Sequence, residues 1–428
     1  MTAFPNDPAI MTKIRSTLLL PLFALAGLSA AVAVEPPRTL LLSGPSLVAA
    51  RAGFEQGDRE LQPARNALLA EADQALKMTP PSVMDKPLTA ASGDKHDYYS
   101  FGPYWWPDPT KPDGLPYIRR DGEVNPTTRH NSDDGAFSQL SKAIETLGLA
   151  YWFTQDERYA QKAAVLLRVW FLDPATRMNP NLQHAQAIPG ITEGRGIGLI
   201  ESRRFIEMND AIALLADSSA WTAAEQAAYR AWLADFYTWL TTSANGRDEL
   251  NEKNNHGTWC DAQTAALALV LDRPTDAKKI LTAGLDRRLA QQIEPDGSQP
   301  LELARTNSLG YSCFNLEALF TCARLAEHVG VDWWNYTTAD GRSLHAALAY
   351  LGPYVDPAKV WPKTDLHPAE RNRLVPLLAE FLRHRHDAAL LSLWEKFSGT
   401  VAGTDRGHLL NASPPPGASR LPQPLSHP

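Results

Sequence analysis

A chain of 428 residues, 44% hydrophobic and 21% charged, has enough apolar material for a large core and is neither a disordered tail nor a fibre. Forty-one Lys and Arg against 48 Asp and Glu leave a net charge of −7, which lacks the basic excess of proteins that live on nucleic acid or anionic lipid. Twelve Trp, 12 Tyr and 13 Phe offer many flat faces of the kind sugar rings stack on, although large cores use the same residues.

The first element in chain order is an export signal. Lys13 and Arg15 precede an apolar run from Leu18 to Leu28, followed by Ala31-Val32-Ala33 in the small-x-small pattern that a signal peptidase reads. The run is too short to span a bilayer, so cleavage after Ala33 and a periplasmic or secreted protein with no remaining membrane attachment are expected. Removing residues 1–33 takes away Asp7, Lys13 and Arg15 and leaves the chain one unit more negative. Three cysteines, Cys260, Cys313 and Cys322, allow one disulfide at most. No C-x-x-C or H-E-x-x-H motif suggests a metal site, and no glycine-rich phosphate loop suggests a nucleotide, so no cofactor is expected.

Between Pro80 and Asp134 the chain crowds Pro, Gly, Asp and aromatics together, notably Tyr104-Trp105-Trp106-Pro107-Asp108-Pro109 and Asp113-Gly114-Leu115-Pro116-Tyr117. Prolines forbid a long helix there, and a connection of this length in a compact domain is usually one wall of a cleft. From Phe137 onward apolar residues recur every three or four positions: Phe137, Leu140, Ile144, Leu147, Tyr151, then Ala163, Ala164, Leu167, Trp170 and Phe171. The periodicity continues through roughly 202–217, 222–242, 257–271, 276–292, 311–328, 342–351, 371–385 and 387–397. Strand-like alternation is scarce. Short breaks between so many helices predict antiparallel hairpins curling into an all-α (α/α) toroid over residues 34–410, with an open solenoid as the competing form. The lack of a strict repeat length favours the toroid. Residues 411–428 read as a disordered Pro/Ser-rich tail.

Three polar clusters interrupt the helices. The first runs from Asn179 through Asn181, His184 and Gln186 to Gly190, and on to Glu193-Gly194-Arg195. The second is Glu249-Leu250-Asn251-Glu252-Lys253-Asn254-Asn255-His256-Gly257-Thr258-Trp259, where one Asn can cap the following helix but a second amide, an imidazole and an indole are left over. The third spans Glu302, Arg305 and Tyr311 at the entrance to another helix. Taken singly, each has an ordinary structural explanation: Asn and Gln serving backbone groups, a buried Tyr, an Arg paired with Glu302.

Together they supply the parts of one reaction class. A uronate polysaccharide can be cut without water when a base removes the C5 proton and the C4 glycosidic oxygen leaves. The carboxylate must be neutralised and the enediolate stabilised, which Asn255 and Arg305 can do. Tyr311 and His256 are the groups able to move protons. A free phenol has a pKa of about 10, so Arg305 is expected to lower that of Tyr311. In mannuronate and glucuronate the C5 hydrogen and C4 oxygen lie on one side, so one residue can serve both; in guluronate they lie opposite and two residues are needed.

These motifs, in this order over about residues 95–320, resemble the alginate lyase superfamily of polysaccharide lyases. The resemblance implies an (α/α) toroid with a cleft or tunnel, no obligatory metal, and elimination by a Tyr/His pair. By position it implies Asn255 as carboxylate neutraliser, His256 as neutraliser or second base, Arg305 as electrostatic support and Tyr311 as acid and base. Asn254, Trp259, Asn181, His184, Gln186, Arg195, Tyr104, Trp105, Trp106 and Glu249 are the candidate substrate-binding residues. The 49 and 55 residues from His256 to Arg305 and Tyr311 are similar to the branch that includes glucuronan and alginate lyases. An alginate-specific periplasmic branch carries Tyr where this chain has His184. Glu249 reads either as a cleft gate or as a solvated loop carboxylate. The acidic net charge is offset locally by Arg119, Arg120, Arg129, Arg195, Arg203 and Arg204, which concentrate in the cleft region.

Two other classes stay open. A glycoside hydrolase on the same helices needs two facing carboxylates, for which Glu294, Asp296 and Glu302 are the candidates. A non-catalytic polysaccharide-binding envelope protein keeps the aromatics and arginines but has no use for an Asn-His-Arg-Tyr quartet.

Overall fold

The computed structural model describes residues 35–410, apart from 131, 364 and 369, together with 415–418. The expected export signal and its cleavage point lie outside the described residues. From Pro36 onward the chain is a single unit. Its helices are α1 (Gly44–Glu55), α2 (Gln62–Leu76), the one-turn α3 (Thr127–His130), α4 (Asp133–Thr154), α5 (Glu157–Leu167), α6 (Phe205–Ala213), α7 (Ala223–Thr242), α8 (Ala244–Asn251), α9 (Asn255–Val270), α10 (Pro274–Gly284), α11 (Pro300–Leu303), α12 (Ser308–Glu327), α13 (Leu344–Leu351), α14 (Leu374–His384), α15 (Ala388–Phe397) and α16 (Gly407–Leu410).

Helices α4, α6, α9, α12 and α14 pack in succession as an inner arc, backed by α2, α5, α7, α10, α13 and α15. This is the expected toroid, left incomplete as a ring. The inner position explains the sequence of α9, which buries every residue from Gly257 to Ala268: a helix surrounded on all sides needs no polar stripe. On α12, Tyr311, Phe314 and Glu317 keep partial exposure while their neighbours are buried, so one narrow face meets open space.

Three helices longer than one turn escape the periodicity. α2 buries only Ala64, Leu68 and Ala72, small side chains that make a faint stripe, and α8 is short and polar. α1 owes its place partly to the preceding segment, whose Leu40, Leu41 and Leu42 amides all donate to Asp210 on α6 at 2.5–2.9 Å.

The Pro-rich stretch is a fastened wall. β1 (Tyr99–Phe101) pairs in parallel with β4 (His184–Ala187), placing Tyr99 opposite His184, and β2 (Trp105–Trp106) pairs antiparallel with β3 (Ile118–Arg119). At its base, Asp133 accepts the Tyr99 amide at 2.8 Å and forms a buried ion pair with Lys86 at 3.1 Å. Most tryptophans fill core space, with Trp170, Trp221 and Trp333 fully buried. All three cysteines are free and buried, so the one permitted disulfide does not form. Of the tail expected to be disordered, only 415–418 are described; they form a turn in which Pro415 is buried and Ala418 packs on the core.

Candidate active site

The Asn-Asn-His-Gly run opens α9, and each member has a distinct task. Asn254 is the N-cap, its Oδ1 accepting the His256 amide at 3.0 Å. Asn255 points inward, and its backbone N–H and Nδ2 donate to the Glu302 carboxylate at 2.7 and 2.8 Å. Burial raises the pKa of Glu302, and the two Asn255 hydrogen bonds oppose the rise. His256 Nδ1 lies 3.0 Å from Oε1 of Glu249, a fully buried carboxylate on α8 whose pKa burial also raises. With Nδ1 held there, Nε2 is the nitrogen left for chemistry.

The close approach of two helix ends makes this corner possible. A Cβ at Gly257 would overlap the Glu252 carbonyl and the Arg288 guanidinium. Arg288, on the π-helical turn Leu285–Ala290, has no exposed side-chain surface. It donates to Asp261 Oδ2 at 2.8 Å and to the carbonyls of Glu252 and Leu250 at 2.6 Å each. Arg288 thereby ties the end of α8, which carries Glu249, to the start of α9, which carries His256.

A second group forms at the start of α12. The Tyr311 hydroxyl receives a hydrogen bond from Arg305 Nη2 at 2.7 Å and lies 2.7 Å from the Tyr104 hydroxyl, and the guanidinium carbon sits 3.8 Å from the Tyr311 ring centre. Arg305 also grips Asp121 with Nε at 3.1 Å and Nη2 at 2.8 Å. Burial works against ionisation of Asp121, but hydrogen bonds and charge from Arg305 and Arg119 outweigh it and bring the carboxyl down to about 2. Tyr311 moves the other way: burial raises its pKa well above the ordinary tyrosine range, Tyr104 adds to the rise, and Arg305 offsets only part. Arg305 does push the phenol toward acidity, as expected, but burial outweighs it, and Tyr104 and the Asp121 charge add to the rise.

The two groups are neighbours. Trp259, one turn after His256, meets Phe314, one turn after Tyr311, with ring centres 5.3 Å apart. Glu302, bonded to Asn255 of the first group, also feels the charge of Arg305 in the second. The adjoining wall comes from β4 and the segment after it, where Arg195 donates to the Gln186 backbone and side-chain oxygens at 3.1 and 2.8 Å and lies 5.9 Å from the Trp105 ring. Gln186 is held at φ 50°, a conformation non-glycine residues seldom adopt.

The family model for alginate lyases matches residues 82–361. A solved alginate lyase from Bacteroides ovatus is 42% identical, with 87% of this chain and 99% of that one covered and a TM-score of 0.84. This chain belongs to the alginate lyase family. It is a polysaccharide lyase. Alginate lyase A1-III from Sphingomonas species A1 shares the fold at 19% identity, covering 84% of this chain and 92% of that one with a TM-score of 0.53; a variant of it carrying a bound tetrasaccharide gives a TM-score of 0.53 at 17% identity, covering 84% and 91%. No curated protein sequence matches significantly.

Several residues of this lyase do other work than the sequence suggests. Asn254 is occupied as a cap, and Trp259 is 4% exposed, wedged against Phe314 and Arg203 rather than open to a sugar ring. Asn181 holds its own loop, its Nδ2 3.3 Å from Asp97 and its Oδ1 accepting the Gln183 amide. His184 is similarly engaged, 3.1 Å from the Glu193 carbonyl and 3.8 Å from Asp97. Trp106 gives its indole N–H to Glu123 and is stacked by Arg120. Glu249 is neither a gate nor a solvated carboxylate, being the partner of His256. Arg305 pairs with Asp121, not Glu302.

Among the cleft arginines, Arg119 pairs with Asp121 and Arg204 with Asp134, while the Arg129 side chain lies outside the described residues. Among the described residues Arg120, Arg195 and Arg203 have no carboxylate within 4.0 Å, each lying instead over an aromatic ring, which leaves three cations without an acidic partner. Burial brings Arg195 down to about 10, still charged at neutral pH. Asp121 went unnoticed in the sequence; its only local signal was an acidic residue beside two arginines in the aromatic wall.

Glu249→Gln tests the imidazole's support. Losing the charge behind Nδ1 is expected to lower turnover about 10²-fold at neutral pH with little change in KM. The loss should be greater on guluronate than on mannuronate linkages, since only the former need a second proton-transfer group. Equal, few-fold losses on both in a folded variant would deny His256 that part.

Proposed function

We propose that this lyase cleaves a uronate polysaccharide of the alginate type by β-elimination, leaving a 4,5-unsaturated uronate at the new end. The observation that carries the reading is the hydrogen-bonded Arg305–Tyr311–Tyr104 cluster beside the Glu249-backed imidazole of His256. The substrate carboxylate is met by Arg305 Nη1 and by the second amide hydrogen of Asn255, the first being committed to Glu302. These donors stabilise the negative charge that grows on the carboxylate oxygens as C5 loses its proton. His256 Nε2 or the Tyr311 phenolate takes that proton, and the Tyr311 hydroxyl protonates the departing C4 oxygen. Arg195 and the Trp105 face support the neighbouring sugars.

A hydrolytic mechanism lacks support in its candidate carboxylates. Glu302 is buried on Asn255, Glu294 is 3.2 Å from Arg342, and Asp296 caps the Ser298 amide. The test is ultraviolet absorbance of unsaturated products over polymannuronate, polyguluronate, glucuronan, hyaluronan and pectate. Absorbance should rise on at least one alginate block or on glucuronan. Reducing ends without absorbance would replace elimination by hydrolysis, and silence on every polymer from folded protein would remove the proposal. Export with cleavage after Ala33 is part of the same reading, and N-terminal sequencing of the protein recovered outside the cytoplasm checks it.

A further inference from the structure

Arg305 touches the reacting phenol, yet its strongest partner is a carboxylate 184 positions earlier in the chain. Asp121 accepts from both Nε and Nη2, and it also receives Thr306 Oγ1 at 3.1 Å and Arg119 Nη2 at 2.7 Å. Gly122 next to it, at φ 79°, passes so close to Thr306 that a Cβ would overlap the threonine hydroxyl. The carboxylate is thus fixed in place rather than swinging from a free loop. A guanidinium stacked on a phenol and donating to its oxygen favours phenolate; a carboxylate on the same guanidinium cancels much of that effect.

We infer that Asp121 is a positioning residue: by neutralising Arg305 it weakens that guanidinium's pull toward phenolate, reinforces burial in holding Tyr311 as a phenol, and so biases the site toward linkages in which the C5 hydrogen and C4 oxygen lie on opposite sides. The inference rests on the elimination proposed above. With Tyr311 protonated at rest, His256 removes the C5 proton, the C5–H electrons form the C4–C5 double bond, and the C4–O bond breaks as its oxygen takes the Tyr311 proton. For linkages with both groups on one side, Tyr311 must first lose its proton to act as the base, and Asp121 makes that step costlier. The other titratable group on the Tyr311 hydroxyl is Tyr104 from the wall; nearby, Glu302 feels the Arg305 charge but is held by Asn255, and Arg373, whose Nη1 is 3.4 Å from the Gly310 carbonyl, has its charge taken by Glu317. None of them replaces the Asp121 charge on Arg305.

The test is Asp121→Asn in the full chain, with kcat followed against pH on polymannuronate and on polyguluronate. Each unit by which the phenol becomes more acidic raises the phenolate fraction about tenfold. The ratio of mannuronate to guluronate turnover should therefore rise about tenfold or more, with the rising limb on polymannuronate and the falling limb on polyguluronate both moving to lower pH, and Asp121→Glu should restore the original profiles. Equal losses on both polymers with unmoved profiles would mean that Asp121 only holds the wall in place, and would overturn the inference. Should Asp121→Asn fail to fold, Asp121→Ser carries the same test: its tyrosinate absorbance, less that of the same variant with Tyr311→Phe, should appear at lower pH than in the unaltered protein, and an unmoved titration overturns the inference. Should no uronate polymer be cleaved by the unaltered protein, elimination itself has failed, and this titration still judges the Asp121–Arg305–Tyr311 relay separately.

Discussion

Tyr311→Phe is expected to lower turnover by about 10²–10⁴-fold, the range general acid–base groups contribute, while the protein remains folded. The hydroxyl is the one atom of the side chain that can exchange a proton, and it has two polar neighbours, Arg305 and Tyr104, each at 2.7 Å. Phenylalanine keeps the ring under the Arg305 guanidinium and above the Phe314 turn. The stability cost is then that of the lost hydrogen bonds, about 1 kcal/mol each, softened because Arg305 retains Asp121. KM should change little, since the proposed binding groups, Arg305, Asn255, Arg195 and the aromatic wall, are all retained. Turnover within a few-fold of the original enzyme, in a variant with an unchanged melting curve, would remove Tyr311 from the chemistry.

The largest effect on folding is expected at Arg288, which touches no substrate. Its guanidinium is wholly buried and has three partners: Asp261 Oδ2 and the Leu250 and Glu252 carbonyls. Asp261 keeps Arg287, but Arg288→Ala strands one of its oxygens and two carbonyls in the interior and opens a cavity beside Gly257. Breaking a buried charge pair from one side costs about 3–5 kcal/mol, and denaturant unfolding should read a loss of that size. Arg288→Lys restores charge but not the planar fork that reaches Asp261 and two carbonyls at once, so it should recover only part. Since Arg288 joins the carrier of Glu249 to the carrier of His256, either variant should also lower turnover. A change below about 1 kcal/mol for the alanine variant would show that the α8–α9 corner is held by other contacts.

Much of the fold was legible because helical periodicity is a local signal. The heavy apolar runs of α4, α7, α9 and α12 announce themselves, and their number with short breaks implies hairpins closing on one another. α2 was missed because alanines carry its buried face, and α8 because it is short and polar with Glu249 turned inward. The site was legible as a set of residues more than as a set of tasks. Asn255, His256, Arg305 and Tyr311 do come together, whereas Asn254, Trp259 and Asn181 went to capping, packing and loop support. Chemical type cannot separate those outcomes: an indole against Phe314 and an indole open to a sugar ring are the same letter.

The chain by itself settled the helical architecture and the inventory of proton carriers and cations, since spacing and residue type are properties of a few neighbouring positions. Tertiary structure alone decided their electrical state. The pairing of Asp121 with Arg305 and of Tyr104 with Tyr311 joins segments far apart in the chain, and Glu249 meets His256 at the corner where Arg288 ties the end of α8 to α9. Proton affinity depends on burial and on which charge lies within a few ångströms, and those distances exist only once the wall and the inner helices have closed around one another.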